Sequence, residues 1–342
     1  MKFKLVSCIF SMVFTSILCY SQSENTTSFE TKVNIEFSQS PINLTGIDAK
    51  FAKDIAYDVY CETVFDVFLP TSARATGMVI YIHGGGFRGG DKSHNYHPGF
   101  EKEVRALLSN NISVANINYR LLTKNEETEG VLKSLKDAKR AIQYIRSIAC
   151  DLNIEKERIA LTGGSAGAGA SLWIATNDDM RDESNSDPVL HESTRVKAIA
   201  LRQPQASYDI EDRWINNVFV DYGITFNDLL ALGQDRLFQF YGVSTLEEYN
   251  TPEIDTYRSQ VDMLSFITSD DPDIWAEGIK TDVAPPINPN IAFHHPFHVR
   301  EIKDKADSVG VPNICYYGKN PLIFGDSSNE KQIDFLIRKV NE

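Results

Sequence analysis

Two apolar runs of the strand type each end directly in a glycine cluster. Met78-Val79-Ile80-Tyr81-Ile82 runs into His83-Gly84-Gly85-Gly86-Phe87, and Arg158-Ile159-Ala160-Leu161-Thr162 runs into Gly163-Gly164-Ser165-Ala166-Gly167. Glycine after a strand marks a place where the backbone must turn sharply or approach another backbone closely. The second cluster continues into Ala168, Gly169, Ala170, Ser171 and Leu172, a small-residue helix able to pack close beneath a sheet.

The serine in the second cluster has chemical consequences. A serine hydroxyl is a weak nucleophile until a base takes its proton, and it must protrude to meet that base. A tight strand-to-helix turn exposes it, and Gly163 and Gly167, two residues before and after Ser165, relieve the crowding. The first cluster supplies what an attacked carbonyl needs. Backbone N–H groups of Gly84, Gly85 and Gly86, with that of Ala166, would hold the developing oxyanion. Losing one such donor typically costs about 3 to 4 kcal/mol. The helix start behind Ser165 adds positive partial charge. No Gly-Lys-Ser/Thr follows the triple glycine, so it is not a P-loop.

On these residues the chain resembles the carboxylesterase branch of the α/β-hydrolase fold, marked by an HGGG oxyanion loop and a G-x-S-x-G elbow. Asp66-Val67-Phe68-Leu69-Pro70, Asn116-Ile117-Asn118-Tyr119-Arg120-Leu121 and Asp137 to Ile145 extend the likeness, which covers about residues 55 to 340. The resemblance implies a mostly parallel central sheet with helices on both faces and no cofactor. Alternating strand and helix patterns point the same way. Residues 205–260, rich in Trp214, Phe219, Leu229, Phe238, Phe240 and Tyr241, break that alternation and read as a helical cap inserted between strands.

The resemblance also implies an acid and then a histidine after Ser165. Asp282, just beyond Asp273-Ile274-Trp275-Ala276-Glu277, is the expected acid. The histidine belongs after the last strand, Asn313 to Gly318, yet no histidine follows His298. His294, His295 and His298 alone come after Asp282. With Pro296 starting a helix, His298 in its first turn is the expected base and His295 the alternative; a helix N-terminus would keep either ring neutral. These histidines lack a carboxylate at ligand spacing, so no metal is expected.

Composition limits the partners. A chain of 342 residues that is 42% hydrophobic can bury one large core. Its 34 basic and 47 acidic residues give −13, which argues against nucleic acid and anionic membranes. Lys2, Lys4 and the apolar stretch Leu5 to Leu18 read as a signal peptide over residues 1–21, too short to span a membrane. A polar extension over 22–50 and a hydrolase domain over 51–342 follow. The expectation is therefore a secreted or periplasmic serine hydrolase acting on small-molecule or polysaccharide-linked esters. Its rival is a ligand-binding protein on a degenerate hydrolase scaffold, which the missing histidine would favour.

Overall fold

The computed structural model describes residues 33–123, 126–319 and 321–342, so the expected signal peptide lies outside the described residues. Ten strands form one sheet: β1 Phe37–Ser38, β2 Ala49–Ala56, β3 Val64–Pro70, β4 Thr76–Ile82, β5 Ile112–Ile117, β6 Ile154–Gly164, β7 Ala198–Arg202, β8 Asp273–Gly278, β9 Asn313–Tyr317 and β10 Phe324–Gly325. Their spatial order is β1-β2-β3-β5-β4-β6-β7-β8-β9-β10. From β5 to β9 neighbouring strands are parallel; β1, β2, β3 and β10 are antiparallel to their neighbours.

The central strands are apolar throughout because both faces are covered. Met78, Ile80 and Ile82 of β4 face one core with Ile159, Leu161, Ile199, Leu201 and Ile274, packed under the helices Val131–Ser147, Ala166–Thr176 and Phe297–Val309. Val79, Tyr81, Ala160, Ala198, Ala200 and Trp275 face the other, under Pro98–Ser109 and Gln332–Asn341. The alternation follows the two-residue period of a strand.

Two segments differ from the sequence expectation. Residues 33–48, read as part of a polar extension, carry β1, and Ile42 is buried against Phe51 and Phe68 in the second core. The insertion between β7 and β8 runs over 203–272, longer than 205–260 at both ends. It holds the helices Ile210–Val218, Phe226–Phe240 and Pro252–Gln260 and shorter turns. Trp214, Phe219, Phe238 and Phe240 are buried and join the first core, Trp214 against Phe293 and His298 and Phe240 against Phe87, rather than forming a separate core of the cap.

The order of strands determines where a ligand can bind. From β4 the chain steps to β5 on one side and then to β6 on the other, so β4 and β6 flank the switch in strand order. Crevices outside the carboxyl ends of strands open at such a switch. Ile82 of β4 pairs with Gly163 of β6, so the two glycine clusters emerge side by side.

Candidate active site

The turn that carries Ser165 is built by close approach. Ser165 has φ 54° and ψ −122°, a left-handed conformation for a non-glycine residue, at the step from β6 into Ala166–Thr176. Such a conformation persists only where the surroundings enforce it. Here the Ser165 N–H donates to the Arg202 carbonyl at 2.8 Å. A Cβ at Gly167 would lie 1.9 Å from the Ile82 carbonyl oxygen, and one at Gly163 would lie 2.5 Å from the Gly167 carbonyl carbon.

The triple-glycine loop lies against this turn. A Cβ at Gly84 would stand 2.6 Å from the Gly164 oxygen and 3.5 Å from Ser165 Cβ. Gly85 and Gly86 have φ of 107° and 63°, which favour glycine. Among the described residues no backbone carbonyl takes the N–H of Gly84, Gly85 or Gly86. His83 has a supporting position: its ring stacks on Tyr119 at 4.3 Å, and the Tyr119 hydroxyl donates to the His83 carbonyl at 2.8 Å.

The structure brings His294 to Ser165. Ser165 Oγ and His294 Nε2 are 2.7 Å apart. His294 Nδ1 lies 2.9 Å from the Asn290 carbonyl oxygen, an acceptor only, so Nδ1 carries the proton and Nε2 of the neutral ring is left to accept from the serine. His294 ends the short helix Pro289–Phe293, which Asn288 caps by accepting from the Ile291 N–H at 3.0 Å. The Thr281 hydroxyl donates to the His294 carbonyl at 2.7 Å, tying this turn to the loop after β8. Burial pushes the His294 pKa below the usual imidazole value, and Arg236 and Lys280 lower it further; the bond to Asn290 acts in the opposite direction.

The two expected partners of Ser165 stand elsewhere. His298 is fully buried: Nδ1 accepts from the Ala206 N–H at 3.2 Å and Nε2 donates to the Ala292 carbonyl at 2.9 Å. Both nitrogens are occupied within the core, so the ring cannot face the serine. His295, the alternative, is buried against Phe219 and Phe297, with Nδ1 accepting from the Phe297 N–H at 3.2 Å and Nε2 donating to the Ala284 carbonyl at 3.2 Å. Asp282 has a side chain 76% exposed and lies 3.5 Å from Lys319 Nζ. It touches no histidine because its place on the loop after β8 points outward, and the Asn290 carbonyl occupies the position behind the ring.

A cleft of about 540 Å³ opens over Ser165 and His294. Its wall includes Tyr81, Phe100, His94, Arg202, Lys280 and Gln332. Arg202 is held by Glu103 at 2.8 Å. The cap meets the triple-glycine loop, where Tyr208 and Phe240 stand edge-on to Phe87 at 5.6 and 6.0 Å.

Comparison with known proteins agrees with this architecture. The BD-FAE family model matches residues 65–207, from β3 through the triple-glycine loop and Ser165 to just past β7. That segment stops before the loop that carries His294. No curated protein matches the chain. Among solved structures, a truncated carbohydrate esterase from gut microbiota superposes with a TM-score of 0.58 and 18% identity, covering 85% of this chain and 96% of its own. Inhibited esterase B of Lactobacillus rhamnosis gives 0.54 and 17%, covering 80% and 77%. Propionate-bound esterase 2 of Thermogutta terrifontis gives 0.54 and 15%, covering 88% and 94%. The expected fold is borne out, and the chain is an α/β-hydrolase-fold protein that resembles the serine-esterase branch of that fold.

Proposed function

We propose that this protein is a serine carboxylic ester hydrolase that works through a Ser165–His294 dyad oriented by the Asn290 carbonyl. The observation that carries this reading is the 2.7 Å contact between Ser165 Oγ and His294 Nε2 beside three glycine N–H groups. Nε2 takes the Ser165 proton as Oγ attacks the ester carbonyl carbon. Negative charge collects on the former carbonyl oxygen, where the N–H groups of Gly84, Gly85, Gly86 and Ala166 stabilise it. Collapse of this intermediate expels the alcohol oxygen, which takes the proton from Nε2. Water then attacks the acyl-enzyme, again losing a proton to Nε2, and Ser165 regains that proton as the acid leaves.

A backbone carbonyl replaces the family's carboxylate in one of its two tasks. In serine hydrolases, changing the carboxylate to an amide costs about 10⁴-fold, chiefly because the histidine adopts the wrong tautomer. A carbonyl accepts only, so the tautomer is kept. Its dipole stabilises imidazolium less than a full charge does, which fits a base of lowered pKa.

The export segment read in residues 1–21 supports action outside the cytoplasm, on small or polysaccharide-linked esters. Among the described residues no helix is long and apolar enough to cross a membrane. Hydrolysis of 4-nitrophenyl acetate and butyrate by the full chain, beside Ser165→Ala, tests the reading. Turnover that the variant loses supports it. Turnover equal to that of Ser165→Ala would make the protein a ligand-binding member of the fold.

A further inference from the structure

Arg236 lies beside the reacting groups and, among the described residues, has no carboxylate within ion-pair distance. It leaves the cap helix Phe226–Phe240 three residues after Gly233, where the backbone departs from helical angles. A Cβ at Gly233 would lie 2.9 Å from Pro289 Cγ, so the missing side chain lets this helix sit against the segment that carries His294. From that seat the guanidinium lies over the Phe293 ring, 4.3 Å from its centroid. It also lies against the oxyanion loop: a Cβ at Gly86 would be 3.0 Å from Arg236 Nη2.

In this the guanidinium differs, among the described residues, from three other arginines of the cleft and cap. Arg202, Arg213 and Arg258 each hold a carboxylate within 2.8 Å. Arg236 Nε is buried with no hydrogen-bond partner among the described residues. The charged neighbour that acts on it is Arg88, a second cation, and Arg236 in turn acts on His294. Lys280, another cation, is on the cleft wall. Arg236 is half-buried, and with Arg88 as its charged neighbour among the described residues it gains from an anion that meets it.

We propose that Arg236 is a specificity-determining residue that receives a carboxylate of the substrate, so that the site favours esters of acidic molecules over neutral ones. The planar guanidinium pairs with a carboxylate through two parallel N–H donors. Stacking on Phe293 fixes its plane beforehand. The proposal rests on the esterase reading above.

Two matched ester pairs test it. 4-Nitrophenyl hydrogen adipate against 4-nitrophenyl hexanoate places the carboxylate on the acyl side; 4-acetoxybenzoate against 4-acetoxybenzamide places it on the alcohol side. The wild-type protein is expected to favour the charged member of one pair in kcat/KM. Arg236→Gln should reduce that ratio by roughly tenfold or more, and Arg236→Lys should keep part of it. High salt should also reduce the wild-type ratio, a reading that needs no variant. No preference in either pair overturns the proposal. An equal fall for both members in Arg236→Gln also overturns it, because that is the result of a role on the oxyanion or in folding. Absence of all turnover instead defeats the esterase reading. Binding of the adipate ester to Ser165→Ala, with and without Arg236→Gln, then reads Arg236 directly: a loss of binding with the second change supports the carboxylate site, and equal binding overturns it.

Discussion

His294 Nδ1 donates to the carbonyl oxygen of Asn290, four residues earlier, at 2.9 Å. This single contact settles which ring nitrogen carries the proton and which faces Ser165. It arises from the end of one short helix, so base and orienting group come from the same local turn. A family triad draws them from separate loops.

That locality makes the helix start an indirect control on activity. Asn288 caps Pro289–Phe293 through the Ile291 N–H. Asn288→Ala is expected to weaken the turn by about 1 kcal/mol and to lower kcat more than it raises KM, because the base loses alignment while the cleft is unchanged. Asn288→Asp or Asn288→Ser should restore kcat. Steady-state kinetics on a short-chain ester measures both.

The pH profile follows from the environment of His294. Burial chiefly, then Arg236 and Lys280, hold its pKa below the ordinary 6.5. The neutral ring is the active form, so kcat/KM should rise with pH along a limb whose midpoint lies below 6.5, and activity should persist in mild acid. Lys280→Gln removes a repelling cation and should move that midpoint upward. A midpoint above 7 in the wild-type protein would contradict the assignment.

Acid stability depends on the other two histidines. Burial lowers His298 to a pKa of about 3 and His295 to about 4, while an unfolded histidine titrates near 6.5. Both folded values are depressed, so their contribution is fully present above 6.5. It is lost as pH falls, because the unfolded chain takes up the protons first. Each histidine removes about 1.4 kcal/mol per pH unit through this window. Tm should therefore drop between pH 6.5 and 4, and His298→Gln should show a shallower drop from a lower starting Tm.

The elbow tolerates no side chain at Gly167. The added Cβ of Gly167→Ala would meet the Ile82 carbonyl at 1.9 Å, forcing β4 and the nucleophile helix apart. Loss of soluble protein, or of at least about 2 kcal/mol in urea unfolding, is expected.

Much of this molecule is legible in its sequence. The strand runs before each glycine cluster are β4 and β6, and their order fixes where the crevice opens. The histidine is less legible. Pro296 marks a helix start that favours a neutral His298, but that ring is surrounded by Trp214 and Phe219 in the core. The competing signal was Asn288-Pro289, a cap residue followed by a first-turn proline, which starts an earlier helix whose last turn ends at His294. Which of three neighbouring histidines faces Ser165 depends on how the cap packs against this turn, through Gly233 on Pro289 and Gln205 on the Phe293 carbonyl. Contacts between segments so distant in the chain leave no periodic trace. Asp282 follows only from the order of residues that the family resemblance implies, and the backbone carbonyl that stands behind the ring has no residue signature at all.

The most direct measurement is kcat/KM on 4-nitrophenyl butyrate for His294→Ala, set beside Ser165→Ala and Asp282→Asn. His294→Ala should fall by about 10³-fold or more, to the level of Ser165→Ala, while Asp282→Asn stays within about twofold of wild type. Collapse in Asp282→Asn with activity kept in His294→Ala would contradict the dyad.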